Sequence, residues 1–268
     1  MEGHLFEAMM IYLATGAVVG VLAGLFGVGG GLLVVPVLTT VFAWTLGEAP
    51  YLVHLAIGTS LATILLTSLA SVRAHHHHGA VDWALVRQLA GGMFVGAFLG
   101  GWSSQFIPER ELAWIFATIE TVIALYLLAA VAPQPHRQLP GSLGNVIAGG
   151  GIGFIASLVG IGGGALVTPY LVWHNIPMHT AIATAAACSL PVAAAGTLGF
   201  LLGGMNTPGL PDYATGYIYW PAFIGIVLTS TLTAKWGAKL AHRLPAQLLK
   251  RAFGLLLLGL AIKMVIWG

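Results

Sequence analysis

The chain is a succession of long apolar runs separated by brief clusters of glycine, proline and polar residues. Cutting it at those clusters predicts a series of helical segments. Segment a covers about residues 7–26 and segment b about 32–44. After the polar corner Gly47-Glu48-Ala49-Pro50 come segment c, about 52–73, and segment d, about 83–106. Pro108-Glu109-Arg110-Glu111 turns the chain into segment e, which runs to about 131. Pro133-Gln134-Pro135-His136-Arg137 reads as a linker, and the series then starts again. Segments a′ to e′ cover about 143–159, 165–173, 178–202, 217–241 and 247–267. A spanning helix needs about 20 apolar residues, so c, d, e and their copies are predicted spans and b and b′ half-helices.

The second series copies the first in detail. An offset of 133 pairs Gly20 with Gly153, Gly27 with Gly160, Gly29 to Gly31 with Gly162 to Gly164, and Pro36 with Pro169. An offset of 125 pairs His54-x-Ala56-Ile57-x-Thr59 with His179-x-Ala181-Ile182-x-Thr184. An offset of 137 pairs Trp83 with Trp220, Gly100 with Gly237, Pro108 with Pro245 and Phe116 with Phe253. The expected layout is a first repeat over residues 1–133, a linker over 134–142 and a second repeat over 143–268, all within one membrane domain.

Charge sets the expected orientation. Arg73 and Arg87 flank the c–d loop, whereas the c′–d′ loop, residues 203–216, has no Lys or Arg. The d′–e′ turn instead gathers Lys235, Lys239, Arg243, Lys250 and Arg251. Positive loops stay in the cytoplasm, so corresponding loops fall on opposite sides and the repeats are inverted. Arg137 places the linker inside and both termini outside, with eight or ten crossings. Lys263 near the C-terminus weighs against that placement.

Composition agrees with a membrane solvent. The 268 residues are 58% hydrophobic and 7% charged, against about 25% charged in soluble domains. Met1-Glu2-Gly3-His4 lacks the basic region of a cleavable signal, so segment a is expected to remain as a helix. A single cysteine, Cys188, excludes an internal disulfide and a cysteine zinc site. The net charge of +2 says little about partners, and nucleic acid is not expected. No H-E-x-x-H or G-x-S-x-G is present, so the chain does not read as an enzyme. Gly160-x-Gly162-x-x-Ala165 lacks the strand and downstream acid of a dinucleotide site. No cofactor and no metal site are expected.

Two triple glycines, in Gly27-Val28-Gly29-Gly30-Gly31 and Gly160-Ile161-Gly162-Gly163-Gly164, interrupt the apolar runs. Each glycine costs a helix up to about 1 kcal/mol, so both runs are predicted to break there. Broken backbone in lipid survives where protein buries it or where it lines a cavity. Paired breaks point to a transporter site near the bilayer midplane. A helix that restarts after glycine presents bare N–H groups and its positive end, which suits an anion. Gly29, Gly30, Gly31, Gly162, Gly163 and Gly164 are therefore the candidate anion ligands, with Pro36 and Pro169 as structural parts of the motif. The spaced glycines Gly16-x3-Gly20-x3-Gly24 and Gly92-x3-Gly96-x3-Gly100 read instead as close helix packing.

Hydroxyls on c and c′ add donors. Thr59, Thr63 and Thr67 share one helix face, and Ser60 lies beside them. Thr59 and Thr184 rank first because they occupy the repeated position. Segment c′ also carries Cys188, Ser189 and Thr197. Glu120 sits midway along e, where an intramembrane carboxylate marks a functional site by default; it is the candidate for proton coupling. Its repeat position is Leu257. His54 and His179 read as packing or capping residues, and His75 to His78 as a headgroup-facing run. Lys235 either draws anions inward or snorkels to the surface.

The pattern G-x-G-G-G-x4-P-x-L at Gly27 or Gly29 through Pro36 and Leu38, and again from Gly162 to Pro169 and Leu171, resembles the sulfite exporter TauE/SafE family. So do H-x-A-I-x-T-S at His54 to Ser60 and H-x3-G-x-V-x-W at His75 to Trp83. The likeness covers essentially the whole chain. The second half departs by having Ala183 and Ala185 where the first has Gly58 and Ser60. The resemblance implies a secondary transporter of sulfite, sulfonates or sulfoacetate-like anions in the inner membrane of bacteria or archaea.

The expectation is thus an all-α polytopic membrane protein of two inverted repeats, each of about five helical segments. It would move a small anion by alternating access, with the lipid bilayer as its other partner. No ATP motif is present, so a gradient supplies the energy, with a proton or sodium ion as candidate coupling ion. A homodimer is a candidate assembly. An anion channel and a transporter of another small organic anion are the alternatives.

Overall fold

The computed structural model describes all residues except 1, 27–30, 48, 50, 78, 130–137, 242–245 and 268. Ten α-helices make up the described chain: α1 (Glu2–Phe26), α2 (Gly31–Thr45), α3 (Leu52–His77), α4 (Trp83–Ser103), α5 (Glu109–Ala129), α6 (Ser142–Leu158), α7 (Gly164–Trp173), α8 (Met178–Gly204), α9 (Trp220–Ala241) and α10 (Ala246–Trp267). A hairpin of two short strands, β1 (Ala214–Thr215) and β2 (Ile218–Tyr219), precedes α9. By length and composition, Leu52–Arg73, Trp83–Phe106, Glu109–Ala129 and Met178–Gly204 can each cross a membrane. Gly31–Thr45 and Gly164–Trp173 are shorter apolar helices, as the reading of b and b′ anticipates. The chain is an all-α polytopic membrane protein.

Segment d′ is the main departure from the sequence reading. Residues 217–219, expected as its first turn, form the hairpin instead. Gly216 opens the turn at φ +54°, the positive value that a two-residue hairpin needs at its first central position. Its neighbours leave no room for another residue type: a side-chain carbon there would run into the Leu201 backbone.

Packing pairs the helices across the two series. α1 lies along α9 as α6 lies along α4, and α3 pairs with α8 as α5 does with α10. The glycine stripes explain the first two contacts. Gly16 and Gly20 meet the backbone of α9 at Ile226 and Ser230, and Gly92 and Gly96 meet that of α6 at Val146 and Gly150. Without side chains there, backbones approach closely, which is how helices associate in lipid. The buried core gathers around α3 and α8, with Leu55, Ile57, Leu61, Cys188 and Val192 all fully enclosed.

Candidate functional site

The second glycine run breaks the helix as expected. α6 ends at Leu158, Gly160 has φ +67°, and Gly163 caps α7 in the left-handed region at φ 77°, ψ −22°. Ile161 N–H turns back to the Ala156 carbonyl at 2.9 Å, and the Gly163 carbonyl accepts from Leu166 and Val167. Among the described residues, the N–H groups of Gly162, Gly163, Gly164 and Ala165 donate to no carbonyl. Four successive bare amides therefore open a helix, with Gly162 and Gly164 half-buried rather than sealed.

The two glycine runs meet. A side-chain carbon on Gly31 would come within 2.9 Å of the Gly160 carbonyl oxygen and 2.7 Å of Ile64 Cδ1. Gly162 likewise borders Ile64 and Ser189, and Gly163 borders Met93 and Val192. Under the offset of 125, Ile64 and Ser189 are counterparts, so Gly162 lies between equivalent positions of the two central helices, α3 and α8. Gly29 and Gly30 lie outside the described residues. Pro36 and Pro169 both fall inside their short helices, α2 and α7.

The predicted hydroxyls tie this frame together. Ser60 Oγ, on α3, donates to the Gly160 carbonyl at 3.0 Å. Thr59 Oγ1 accepts from Tyr219 N–H at 3.0 Å, and Thr184 Oγ1 accepts from Asp82 N–H at 3.1 Å. Tyr219 is Asp82 plus 137 and Thr184 is Thr59 plus 125. The same clasp is thus made twice, each time from a central helix to the entry of a helix in the other half. Asp82 also caps α4, its carboxylate accepting from Ala84 and Leu85 N–H. Thr63 and Ser189 return their hydroxyls to carbonyls of their own helices, at Ser60 and Ala185.

The two ends of the bundle differ. Over the start of α3, Tyr12, Phe42 and Tyr219 pack edge to face at 5.4–6.0 Å between centroids. Beside them Tyr217 stacks on His54 at 4.8 Å and meets Phe200. Burial raises the phenols of Tyr217 and Tyr219 above their usual range, so this plug stays neutral. His54 donates from Nε2 to the Ser104 carbonyl at 3.0 Å, and Glu109 caps α3 through Tyr51 and Val53 N–H. The corresponding positions at the other end are small or polar: Ala80, Val81 and Asp82 stand for Tyr217 to Tyr219. Asn145, the counterpart of Tyr12, donates to Gln88 Oε1 at 2.7 Å and accepts from Tyr170 OH at 2.8 Å. Helix contacts differ in the same sense. α4 packs along α8, with Gly199 against Phe98 and Trp102, while among the described residues α9 touches α3 far less.

The remaining candidates lie elsewhere. Glu120 is fully enclosed on α5. His76 Nδ1 accepts from Trp83 Nε1 at 3.2 Å, while His179 and Lys235 are exposed. Sequence reasoning missed Met93 and the aromatic plug. The one signal for the plug was the mismatch of Ala80-Val81-Asp82 with Tyr217-Ile218-Tyr219 under the offset of 137.

A bundle of apolar helices folded around a broken glycine run is the architecture of a membrane transporter. Comparison with known proteins agrees. The family model described as "Sulfite exporter TauE/SafE" matches residues 12–264, and the chain belongs to that family. A probable membrane transporter protein of Haemophilus influenzae is 36% identical over 263 residues, covering 97% of this chain and 99% of the relative. One from Xylella fastidiosa is 30% identical over 275 residues, covering 97% and 96%. One from Methanocaldococcus jannaschii is 26% identical over 250 residues, covering 91% and 90%. No solved structure matches.

Proposed function

We propose that the protein is a secondary transporter of small sulfur-containing anions, of the sulfite or sulfonate class, in the inner membrane of a bacterium or archaeon. One observation carries the reading: four bare amides at the head of α7, set against the other glycine run and two central helices. Such a terminus attracts negative charge, and glycine lets the solute reach the backbone itself. Gly162, Gly163 and Gly164 hold one side of the anion, and Gly29, Gly30 and Gly31 the other. Thr59, Ser60 and Thr184 hold the walls in place. The hydroxyls of Thr59 and Thr184 accept N–H groups and keep their own protons to donate. The family's printed description supplies the sulfur chemistry.

Residues 1–133 and 143–268 act as inverted repeats, for which the duplicated clasp is the structural support. Rocking one repeat against the other exposes the site alternately. The unequal ends support this cycle: one mouth is shut by the aromatic plug and the α4–α8 contact, while its counterpart is looser. By the charge rule the shut mouth faces outward.

Flux of sulfite, a sulfonate and chloride into proteoliposomes tests the reading. Saturable sulfite uptake, inhibited by the sulfonate and indifferent to chloride, is expected. Sulfite flux that rises linearly with concentration would indicate a channel and contradict it.

A further inference from the structure

Glu120 stands at the middle of α5, fully enclosed, and among the described residues neither carboxyl oxygen has a hydrogen-bond partner. Its neighbours on the same helix face, Phe116, Ala117, Ile123 and Ala124, are all apolar and buried. The helices that pack on α5 offer no partner in its place. α6 has no ionisable side chain. Those of α3 are His54, which is engaged with carbonyls, and Arg73 and the histidines at its far end. Those of α10 are Lys250, Arg251 and Lys263, six or more residues from the position matching Glu120.

The fold contains its own control for this position. α5 and α10 pack on each other, and Leu257, the counterpart of Glu120, is just as enclosed. A hydrocarbon side chain therefore satisfies the packing, and nothing structural calls for a carboxyl. An unpaired carboxylate is not stable in such surroundings, so the group is a neutral acid here. It ionises only when helix movement admits water. α5 also touches α3, the helix whose Ser60 is bound to the glycine break.

We propose that Glu120 is the proton site that couples solute movement to the proton gradient, an inference resting on the transporter reading above. Open to one side, the carboxylate takes a proton from water as the anion binds. The neutral acid persists while the site is closed. Open to the other side, it returns the proton to water and the anion leaves. One proton for each singly charged anion makes the loaded step electroneutral.

The test uses the full-length protein in proteoliposomes with labelled sulfite, comparing accumulation under a pH gradient with sulfite–sulfite exchange at equal pH. Wild type should accumulate sulfite on the alkaline side by about tenfold for each pH unit. Glu120→Gln, and Glu120→Leu as the copy of position 257, should lose that accumulation relative to exchange. An infrared difference spectrum on sulfite addition should show a protonated-carboxyl band that Glu120→Gln lacks. Wild-type exchange without any response to the gradient would overturn the inference, as would full accumulation in either variant. Absence of exchange in wild type would instead overturn the transporter reading, and this inference with it.

Discussion

At Gly163 the backbone turns left-handed immediately before α7, at φ 77°. A side chain in that conformation costs roughly 1–2 kcal/mol, and a carbon there would also crowd Met93 Cε at 3.1 Å. Gly163→Ala should therefore displace the bare amides and lower sulfite uptake about tenfold, the rate equivalent of about 1.4 kcal/mol. Uptake at the wild-type rate would show that the amides' placement is immaterial. Thr59 and Thr184 act on stability as well. Replacing Thr59 with Val leaves the buried Tyr219 N–H without its acceptor, a loss of about 1–3 kcal/mol, whereas Thr184→Val frees the part-buried Asp82 N–H, which water can reach more easily. Thermal unfolding in detergent should show a lower Tm for both variants, with the larger drop for Thr59→Val.

Among the elements, the hairpin ahead of α9 is the part whose removal should change behaviour most selectively. Tyr217→Ala opens the contact with His54 and Phe200 while leaving α7 and its amides in place. Impermeant thiol reagents should then reach a cysteine at position 64 from the hairpin side, and in the parent they should not. Helix boundaries were largely legible. Segments b and b′ were expected from residues 32 and 165 and begin at Gly31 and Gly164, because three glycines in an apolar run leave little choice. The hairpin was not legible, since Tyr217-Ile218-Tyr219 is as apolar as the helix that follows it. Nor were the clasps: a threonine in a membrane helix usually returns its hydroxyl to its own helix, as Thr63 does, and only tertiary structure shows that Thr59 and Thr184 accept from distant amides. The paired carbonyl and hydroxyl of Gly160 and Ser60 were hidden for the same reason.

For the molecule as a whole, the charge asymmetry predicts which face is which. In a Cys188→Ser background, Tyr213→Cys beside the hairpin should be labelled from outside the cell, and Lys239→Cys at the end of α9 only after the membrane is opened. The reverse pattern would invert the topology while leaving the fold intact. Whatever the orientation, the proposed site requires the amides of Gly162, Gly163 and Gly164 to touch the solute, which a titration of sulfite into ¹⁵N-glycine-labelled protein in lipid nanodiscs reads directly. Those three amide resonances should shift saturably, with the same half-saturation as sulfite uptake. Saturable uptake with the three resonances unmoved would contradict the site.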